Sequence, residues 1–208
     1  MGLSKDQNNR RDFWRLAVFV AILAAFLEAG GNGVRDVLAW ERDALVAGQL
    51  WRLVSGHFVH LGWSHLVLNL AGLTLVAWLV GRRFSWPQWF LIGGFSIAAI
   101  DIGFWLIYTD LYGYVGMSGM LYGLLMAGLL AGITVRDKES IILGSLIAVK
   151  IIWEQLVGPM PGSEATSGGK VVVEAHLYGA VGGLLGALVC LYNSPQPAVG
   201  PDETKEDT

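Results

Sequence analysis

Charged side chains are scarce in this sequence. Only 15% of the 208 residues are Asp, Glu, Lys or Arg, whereas 54% are hydrophobic, and the mean hydropathy is +0.52. A soluble domain carries about 25% charged residues, so the composition excludes one of this length and places the chain in a lipid bilayer. The formal net charge is only −3, and no nucleic-acid partner is predicted.

Cysteine is nearly absent as well. The single residue, Cys190, excludes an intrachain disulfide. The four histidines are not accompanied by a cluster of carboxylate or thiolate ligands, so neither a metal nor an organic cofactor is predicted. No internal repeat is evident, and Pro87, Pro159 and Pro161 fall at the ends of predicted helices. A small transporter is therefore disfavoured, because it would show symmetric halves and interrupted helices.

Long apolar segments are the main feature that is present. A spanning helix needs about 20 mostly apolar residues. Because basic residues but no small-residue cleavage site precede the first turn, the first segment is expected to stay attached. We predict an all-α membrane domain over residues 1–195, followed by a disordered acidic tail at 196–208. The six predicted transmembrane helices cover about residues 13–29, 62–81, 87–108, 114–133, 140–157 and 173–192.

The connection between the first two segments, about residues 30–61, is too long for a turn and too apolar for a solvated loop. It is predicted to form short amphipathic helices in the outer membrane interface. Trp40 and Trp51 would lie at the level of the lipid headgroups, where tryptophan is enriched.

The distribution of cations predicts the orientation. Under the positive-inside rule, segment ends that are rich in Lys and Arg are cytoplasmic. Both termini are then cytoplasmic, and the opposite ends of the helices face outward. The basic residues precede the first segment, follow the second and follow the fourth: Lys5, Arg10, Arg11 and Arg15; Arg82 and Arg83; Arg136 and Lys138.

A first polar cluster opens the second segment. His65 and Asn69 are four residues apart and share one face of a helix that starts near Gly62. Polar side chains in lipid are costly and are therefore candidate functional groups, and this pair can act as two donors. The alternative is that they only bridge neighbouring helices, which is a common role of His and Asn in membranes.

A second cluster, Gly116-Met117-Ser118-Gly119, opens the fourth segment. Small residues in a membrane helix usually serve close packing. A serine at the start of a helix, however, has free backbone N–H groups beside it, and these can stabilise an oxyanion. Tyr122 lies one turn below Ser118 on the same face.

The third cluster surrounds His176 in the last segment. Gly179 and Gly183 leave the adjoining face bare, so that another helix can approach closely. A serine hydroxyl needs an adjacent base, and imidazole is the usual one; the alternative is a buried neutral histidine that holds two helices together. The predicted topology places all three clusters near the outer face, which favours a catalytic site over packing alone.

These motifs resemble the rhomboid intramembrane proteases over nearly the whole chain. The resemblance implies a six-helix rhomboid bundle with an interfacial first loop and a water-filled cavity open to the outside. It also implies a Ser118–His176 dyad without an aspartate. The motifs are Trp51-Arg52, the His60/His65/Asn69 spacing, Gly116-x-Ser118-Gly119 with Tyr122, and Ala175-His176 with the following glycines.

The resemblance also implies roles for supporting residues. His65, Asn69 and the Ser118 N–H would form the oxyanion hole, and Tyr122 would stack on the His176 ring. Gly116, Gly119 and His60 belong to the matched motifs. Some rhomboids have a further histidine where this chain has Gly56, so no role is assigned to His57.

A narrower resemblance is to the rhombosortase branch, through Lys150-Ile151-Ile152-Trp153-Glu154-Gln155 followed by Val173-Glu174-Ala175-His176. It implies an endopeptidase in the bacterial inner membrane whose active site opens to the periplasm. Its substrates would be exported proteins with a C-terminal anchor, made of a Gly-Gly motif, a transmembrane helix and a basic cluster. The acyl group would pass to water or to an amine-bearing lipid headgroup.

Several alternatives stay open. Lys150 and Glu154, four residues apart, could form a structural ion pair, or Glu154 could lie beside the substrate or an acceptor amine. Asp101 receives no role. A general rhomboid protease with other transmembrane substrates is the main competing function. A non-catalytic rhomboid-like binding protein is a third, although it should lack Ser118 or His176.

Overall fold

The computed structural model describes residues 4–193, so the predicted tail at 196–208 lies outside the described residues. Two short strands, β1 and β2, pair in antiparallel fashion, with Trp40 opposite Tyr114. The elements in chain order are α1 (Lys5–Ala29), α2 (Gly31–Leu38), β1 (Trp40–Glu41), α3 (Arg42–Val46), α4 (Arg52–Ser55), α5 (Trp63–Val80), α6 (Trp86–Leu106), β2 (Gly113–Tyr114), α7 (Ser118–Thr134), α8 (Lys138–Val157), α9 (Ser163–Ser167) and α10 (Val173–Tyr192).

Four helices, α5, α6, α8 and α10, are long and apolar enough to cross a membrane. Taken together, helices α1 and α2 are also long and apolar enough to cross a membrane, but the pair is bent by 113°. Helix α7 has 17 residues, most of them buried among other helices. Residues 4–193 therefore contain four candidate spans, or five with the bent pair, and a bundle of six crossings stays a prediction.

Two helices begin at residues other than those predicted. Helix α1 begins at Lys5 rather than near residue 13, because Ser4 and Gln7 form a capping box in which each side chain accepts the other's backbone N–H. Helix α7 begins at Ser118 rather than near residue 114. The preceding Tyr114 belongs to β2, and Gly116 has a φ of +114°, which no helix contains.

The backbones of α7 and α10 touch through glycines. A Cβ atom added to Gly179 or Gly183 would collide with the carbonyl of Gly119 or Gly123, respectively. A Cβ atom at Gly119 would lie 2.7 Å from the carbonyl oxygen of Ala175. Helix α10 packs against α6 on another side. Small residues thus bring the two helices that bear Ser118 and His176 as close together as backbones can pack.

The connection at residues 30–61 contains three short helices and one strand, and part of it is buried. Trp40 is 0% exposed, and its ring lies edge-on against Phe104 at a centroid distance of 5.4 Å. Trp40 is thus packed inside the protein, where its strand pairs with β2, and its level in the membrane stays a prediction. Trp51, in contrast, is 51% exposed. The interfacial position of the connection as a whole stays a prediction.

Two arginines hold this connection in place, one against the bundle and one within the connection. The Arg42 guanidinium donates to the carbonyls of Phe104, Tyr108 and Leu111 at 2.6, 3.2 and 3.0 Å, respectively, where α6 ends. A cation at a helix C-terminus also interacts favourably with the helix dipole. Arg52 is buried and donates to the Ala39 carbonyl at 2.7 Å. Both contacts satisfy backbone oxygens that have no helical partner.

Several cationic ends predicted to be cytoplasmic lie together at one end of the bundle. Arg83, after α5, forms an ion pair with Asp137, which caps α8. The Asn9 side chain donates to the Arg82 carbonyl at 3.3 Å, which places the start of α1 at the same end. The hydroxyl of Ser140, together with the Arg83 guanidinium, holds the pKa of Asp137 below its usual range.

The glycine contact between α7 and α10 can be tested with a pair of alanine substitutions. Gly123→Ala would drive a methyl group into Ser96 and the Gly179 carbonyl, so we expect it to cost about 1–3 kcal/mol of stability. Gly94→Ala places a methyl group where no heavy atom lies within 4 Å, and we expect it to be neutral or to stabilise by up to about 1 kcal/mol. Thermal unfolding in detergent measures both, and equal midpoints would contradict the prediction.

Candidate active site

The structure brings Ser118 and His176 together. Ser118 is the first residue of α7, and its Oγ lies 3.1 Å from Nε2 of His176, which is in the first turn of α10. The His176 side chain is only 7% exposed. A hydroxyl and an imidazole at this distance form a hydrogen bond, which is the arrangement that a serine needs to transfer its proton to a base.

The turn before Ser118 is braced from two sides. The Gly116 N–H donates to the Gly56 carbonyl at 3.1 Å, and the Tyr114 hydroxyl donates to the Gly116 carbonyl at 2.6 Å. Gly116 also lies against His65, since an added Cβ would be 2.6 Å from Cε1 of that ring. Sequence reasoning missed Tyr114, because a single tyrosine in a short connection shows no pattern that marks it as a brace.

His65 and Asn69 line the same cavity as Ser118. Nδ1 of His65 accepts the Leu61 N–H at 3.3 Å, which leaves Nε2 as the protonated nitrogen and hence a donor. Asn69 donates one amide hydrogen to the His65 carbonyl at 3.0 Å and has a second amide hydrogen. The Ser118 N–H lies in the first turn of α7, where helical N–H groups lack helical acceptors. Donors from α5 and α7 therefore line the cavity that contains Ser118.

Ser118 lies where two cavities meet. The first has a volume of about 360 Å³ and also contains His176, Lys150 and Tyr122 in its wall. The second has a volume of about 310 Å³ and is lined in part by Tyr114. Both are large enough for several peptide side chains. The residues that line both are His65, Ser118, Ser167 and Val171.

The His176 ring is held on its face and on its far nitrogen. The Tyr122 ring stacks on it with a centroid distance of 4.4 Å and an interplanar angle of 26°. Nδ1 lies 2.9 Å from Oε2 of Glu154. The other Glu154 oxygen is paired with Lys150, whose ammonium also donates to the Tyr122 hydroxyl. Glu154 thus contacts the imidazole, rather than an open position beside a substrate or an acceptor amine.

Two other histidines lie deeper. His57 is fully buried, with Nε2 3.6 Å from Oδ1 of Asp101, so it links the first connection to α6. His60 is also fully buried, and its ring meets that of His65 edge-on at 5.1 Å. Burial, with the neighbouring His65, lowers the pKa of His60 to about 3. His60 is therefore neutral near pH 7 and packs as an uncharged ring beside His65.

Within residues 4–193, no group of three or more His, Cys, Asp or Glu side chains could hold a metal ion. The fold and the site instead define a helical membrane protein with a serine–histidine pair at a cavity wall. The sequence of residues 47–193 matches the family model of the Rhomboid domain. The chain therefore belongs to the rhomboid family.

Comparison with curated proteins agrees with this assignment. An uncharacterized protein of Mycobacterium tuberculosis is 30% identical over 171 residues, which is 75% of this chain and 62% of that protein. Rhomboid protease GlpG of Yersinia enterocolitica is 26% identical over 182 residues, 86% of this chain and 63% of GlpG. Rhomboid protease GluP of Bacillus subtilis is 27% identical over 187 residues, 87% of this chain and 35% of GluP. The chain thus spans less than two thirds of these relatives.

The buried His60 predicts a pH dependence of stability. Because folding lowers its pKa from 6.5 to about 3, the fold favours the neutral ring. The associated stabilisation is complete above pH 6.5 and is lost as the pH falls toward 3, about 2 kcal/mol of it by pH 5. We expect the thermal midpoint of His60→Phe in detergent to fall less between pH 7 and pH 5 than that of the wild type. Parallel pH profiles would contradict this assignment.

Proposed function

We propose that this chain is an intramembrane serine endopeptidase in which Ser118 is the nucleophile and His176 is the base. The observation that supports this best is the 3.1 Å contact between Ser118 Oγ and His176 Nε2 at the wall of a cavity. It occurs in a chain of the rhomboid family, and relatives of that family are named proteases.

The proposed reaction is acyl transfer. Nε2 of His176 accepts the Ser118 proton while Oγ bonds to the scissile carbonyl carbon. The tetrahedral intermediate collapses as the C–N bond breaks, and the proton on Nε2 passes to the leaving amine. Water in the cavity then attacks the acyl carbon while Nε2 of His176 accepts its proton. As this second intermediate collapses, the bond from Ser118 Oγ to the acyl carbon breaks and the proton returns to Oγ. The products are two peptides, and the enzyme regains its starting protonation state.

The oxyanion would be stabilised by donors on two elements. The Ser118 N–H approaches from the start of α7, and the side chains of His65 and Asn69 approach from α5. The tautomer assigned to His65 by its contact with Leu61 leaves an N–H available for this purpose. Donors that are fixed before the reaction act without reorganisation, and removal of one such donor typically costs about 10²- to 10³-fold in kcat.

The proposed setting is the bacterial inner membrane, with six crossings, both termini in the cytoplasm and the active site open to the periplasm. The cationic ends that meet around Arg83 and Asp137 support this orientation. Ser118 is at the start of α7, whereas Arg136 and Lys138 follow the end of that helix. A serine at the opposite end from the cations is at the outer side. Its substrates would be transmembrane proteins that reach the cavity through the bilayer.

Two substrate ranges fit this activity. The names of GlpG and GluP favour a general rhomboid protease. The Lys150–Glu154 pair beside His176 is the feature that resembles the rhombosortase branch, and it favours C-terminal tails that combine a Gly-Gly motif with a transmembrane anchor. In that case an amine-bearing lipid could replace water as the acyl acceptor. A non-catalytic role is disfavoured, because Ser118 and His176 are both present and in contact.

The nucleophile can be tested with a matched pair of serines. Ser118→Ala should lower cleavage of a transmembrane substrate in proteoliposomes by at least about 10⁴-fold, because no other group supplies the attacking oxygen. Ser145→Ala removes a hydroxyl on α8 that donates to the Ile141 carbonyl at 2.9 Å, and it should retain wild-type activity. Unchanged cleavage by purified Ser118→Ala would overturn the proposed function.

The substrate range can be resolved by direct comparison. The purified enzyme is incubated in proteoliposomes that contain phosphatidylethanolamine, with a Gly-Gly-tailed substrate and with an unrelated transmembrane substrate. Mass spectrometry of the new C-terminus then identifies the cut and any added headgroup. The rhombosortase proposal expects at least tenfold faster cleavage of the Gly-Gly tail. Equal rates on both substrates would favour the general protease instead.

A further inference from the structure

The far nitrogen of His176 contacts a carboxylate that the proposed reaction has not yet used. Glu154 Oε2 lies 2.9 Å from Nδ1, and both side chains are nearly inaccessible, at 3% and 7% exposure, respectively. A carboxylate on one ring nitrogen and a hydroxyl on the other is the arrangement of a Ser–His–acid triad. The resemblance to rhomboid proteases implied a Ser118–His176 dyad without an aspartate.

The contact selects the tautomer of His176. A neutral imidazole carries one proton, and an ionised carboxylate can only accept. Glu154 therefore holds that proton on Nδ1 and leaves the lone pair of Nε2 directed at Ser118. The Tyr122 ring restrains the plane of the imidazole by stacking, but stacking does not distinguish one nitrogen from the other. Of the contacts described for this ring, the one with Glu154 decides which nitrogen is the base.

Lys150 keeps Glu154 ionised. A carboxylate taken out of water tends to become protonated unless a cation or donors compensate it. The Lys150 ammonium pairs with the Glu154 oxygen that His176 does not use, and its own side chain is 34% exposed at the cavity. Lys150 also donates to the Tyr122 hydroxyl. Four side chains, Tyr122, Lys150, Glu154 and His176, thus form a closed ring of contacts.

We infer that Glu154 is a positioning residue, the third member of a Ser118–His176–Glu154 triad, and that Lys150 sets its charge. This inference rests on the proposed function. As Ser118 Oγ bonds to the carbonyl carbon, its proton moves to Nε2, while the Nδ1 proton stays in place. Glu154 stabilises the resulting imidazolium and gains no proton. The same Nε2 proton later leaves with the amine, so acylation ends with His176 neutral and Glu154 ionised, as it began.

Other charged or titratable groups lie on the elements packed against α10. Helix α7 presents Tyr122, and α8 presents Glu154 and Lys150. Across the cavity α5 presents His65. On α6, Asp101 is paired with His57. On α10 itself, Glu174 and Tyr178 are the neighbours, and neither forms a hydrogen bond to the His176 ring. Glu154 is thus the acidic side chain that reaches the imidazole.

The test compares three conservative variants by pH profile in proteoliposomes. For Glu154→Gln we expect kcat to fall about 10²- to 10⁴-fold, with KM changed less than about threefold. Loss of the carboxylate disfavours the imidazolium, so the acid limb of kcat/KM should move to lower pH. Lys150→Met removes a cation and should move the acid limb to higher pH. Glu174→Gln, an equal change two residues from His176, should leave the profile unchanged.

The acid limb is expected to shift in opposite directions in Glu154→Gln and Lys150→Met. These shifts distinguish a positioning role of Glu154 from a purely structural one. An ion pair that only supports the fold would lower the amount of active enzyme in both single variants and leave the pH profile in place, and that result would overturn the inference. Thermal midpoints in detergent identify variants that are merely destabilised. If Glu154→Gln does not fold because Lys150 is left unpaired, Glu154→Gln/Lys150→Met replaces it, and an unshifted profile there also overturns the inference. Full activity of Ser118→Ala, in contrast, would overturn the proposed function itself.

Discussion

The close approach of α7 and α10 is the constraint on which the site depends. Gly119 and Gly123 on α7 meet Ala175, Gly179 and Gly183 on α10, backbone against backbone. The proposed nucleophile and base are each the immediate chain neighbour of a contact point. Ser118 precedes Gly119, and His176 follows Ala175.

The same contact sets the ring geometry. Tyr122 precedes Gly123, and its ring stacks on His176 at 4.4 Å. If a side chain separated the two helices by even the width of a methyl group, the 3.1 Å contact between Ser118 and His176 would be lost, because a hydrogen bond weakens steeply with distance. Glycine is therefore required here for distance rather than for backbone freedom. Packing without side chains is the usual means of bringing membrane helices together.

The first connection fixes the position at which α7 begins. Gly56 accepts the Gly116 N–H, Tyr114 braces the Gly116 carbonyl, and β1 pairs with β2 next to it. The connection is itself attached to α6 through Arg42. The start of α7 is thus restrained by elements that are distant in sequence, so that the serine keeps its position while the cavity beside it admits a substrate.

In the sequence, candidate site residues are easier to recognise than the residues that pack around them. Apolar segments predict helices, and polar groups such as His65 and His176 are conspicuous within them. The burial of Trp40 could not be predicted, because a two-residue strand is too short to show a period, and its partner lies far away in sequence. Tyr114 was missed for the same reason.

The sequence also could not show which neighbours the faces of α8 contact. Spacing alone shows that Lys150 and Glu154 share a helix face, but it does not show which neighbour that face meets. In the structure Glu154 meets His176 on α10, 22 residues later in the chain. An ionisable residue inside a span does predict a partner. The identity of that partner depends on how the helices pack, and this information is not contained in any one segment.

A buried charge in a membrane protein needs a physical reason to persist. Removing a carboxylate and an ammonium from water costs several kcal/mol for each ion, and an apolar pair of similar size is often at least as stable. Stability alone thus gives no reason to retain Lys150 and Glu154. Two features lower the cost in this site: Lys150 remains partly exposed to the cavity, and both Glu154 oxygens have partners. A buried carboxylate forms a strong hydrogen bond, and a paired cation keeps it ionised. Such a carboxylate has the electrostatic properties needed to stabilise an imidazolium. In the proposed reaction, the cavity that would admit water for hydrolysis would also hydrate the cation that keeps Glu154 charged.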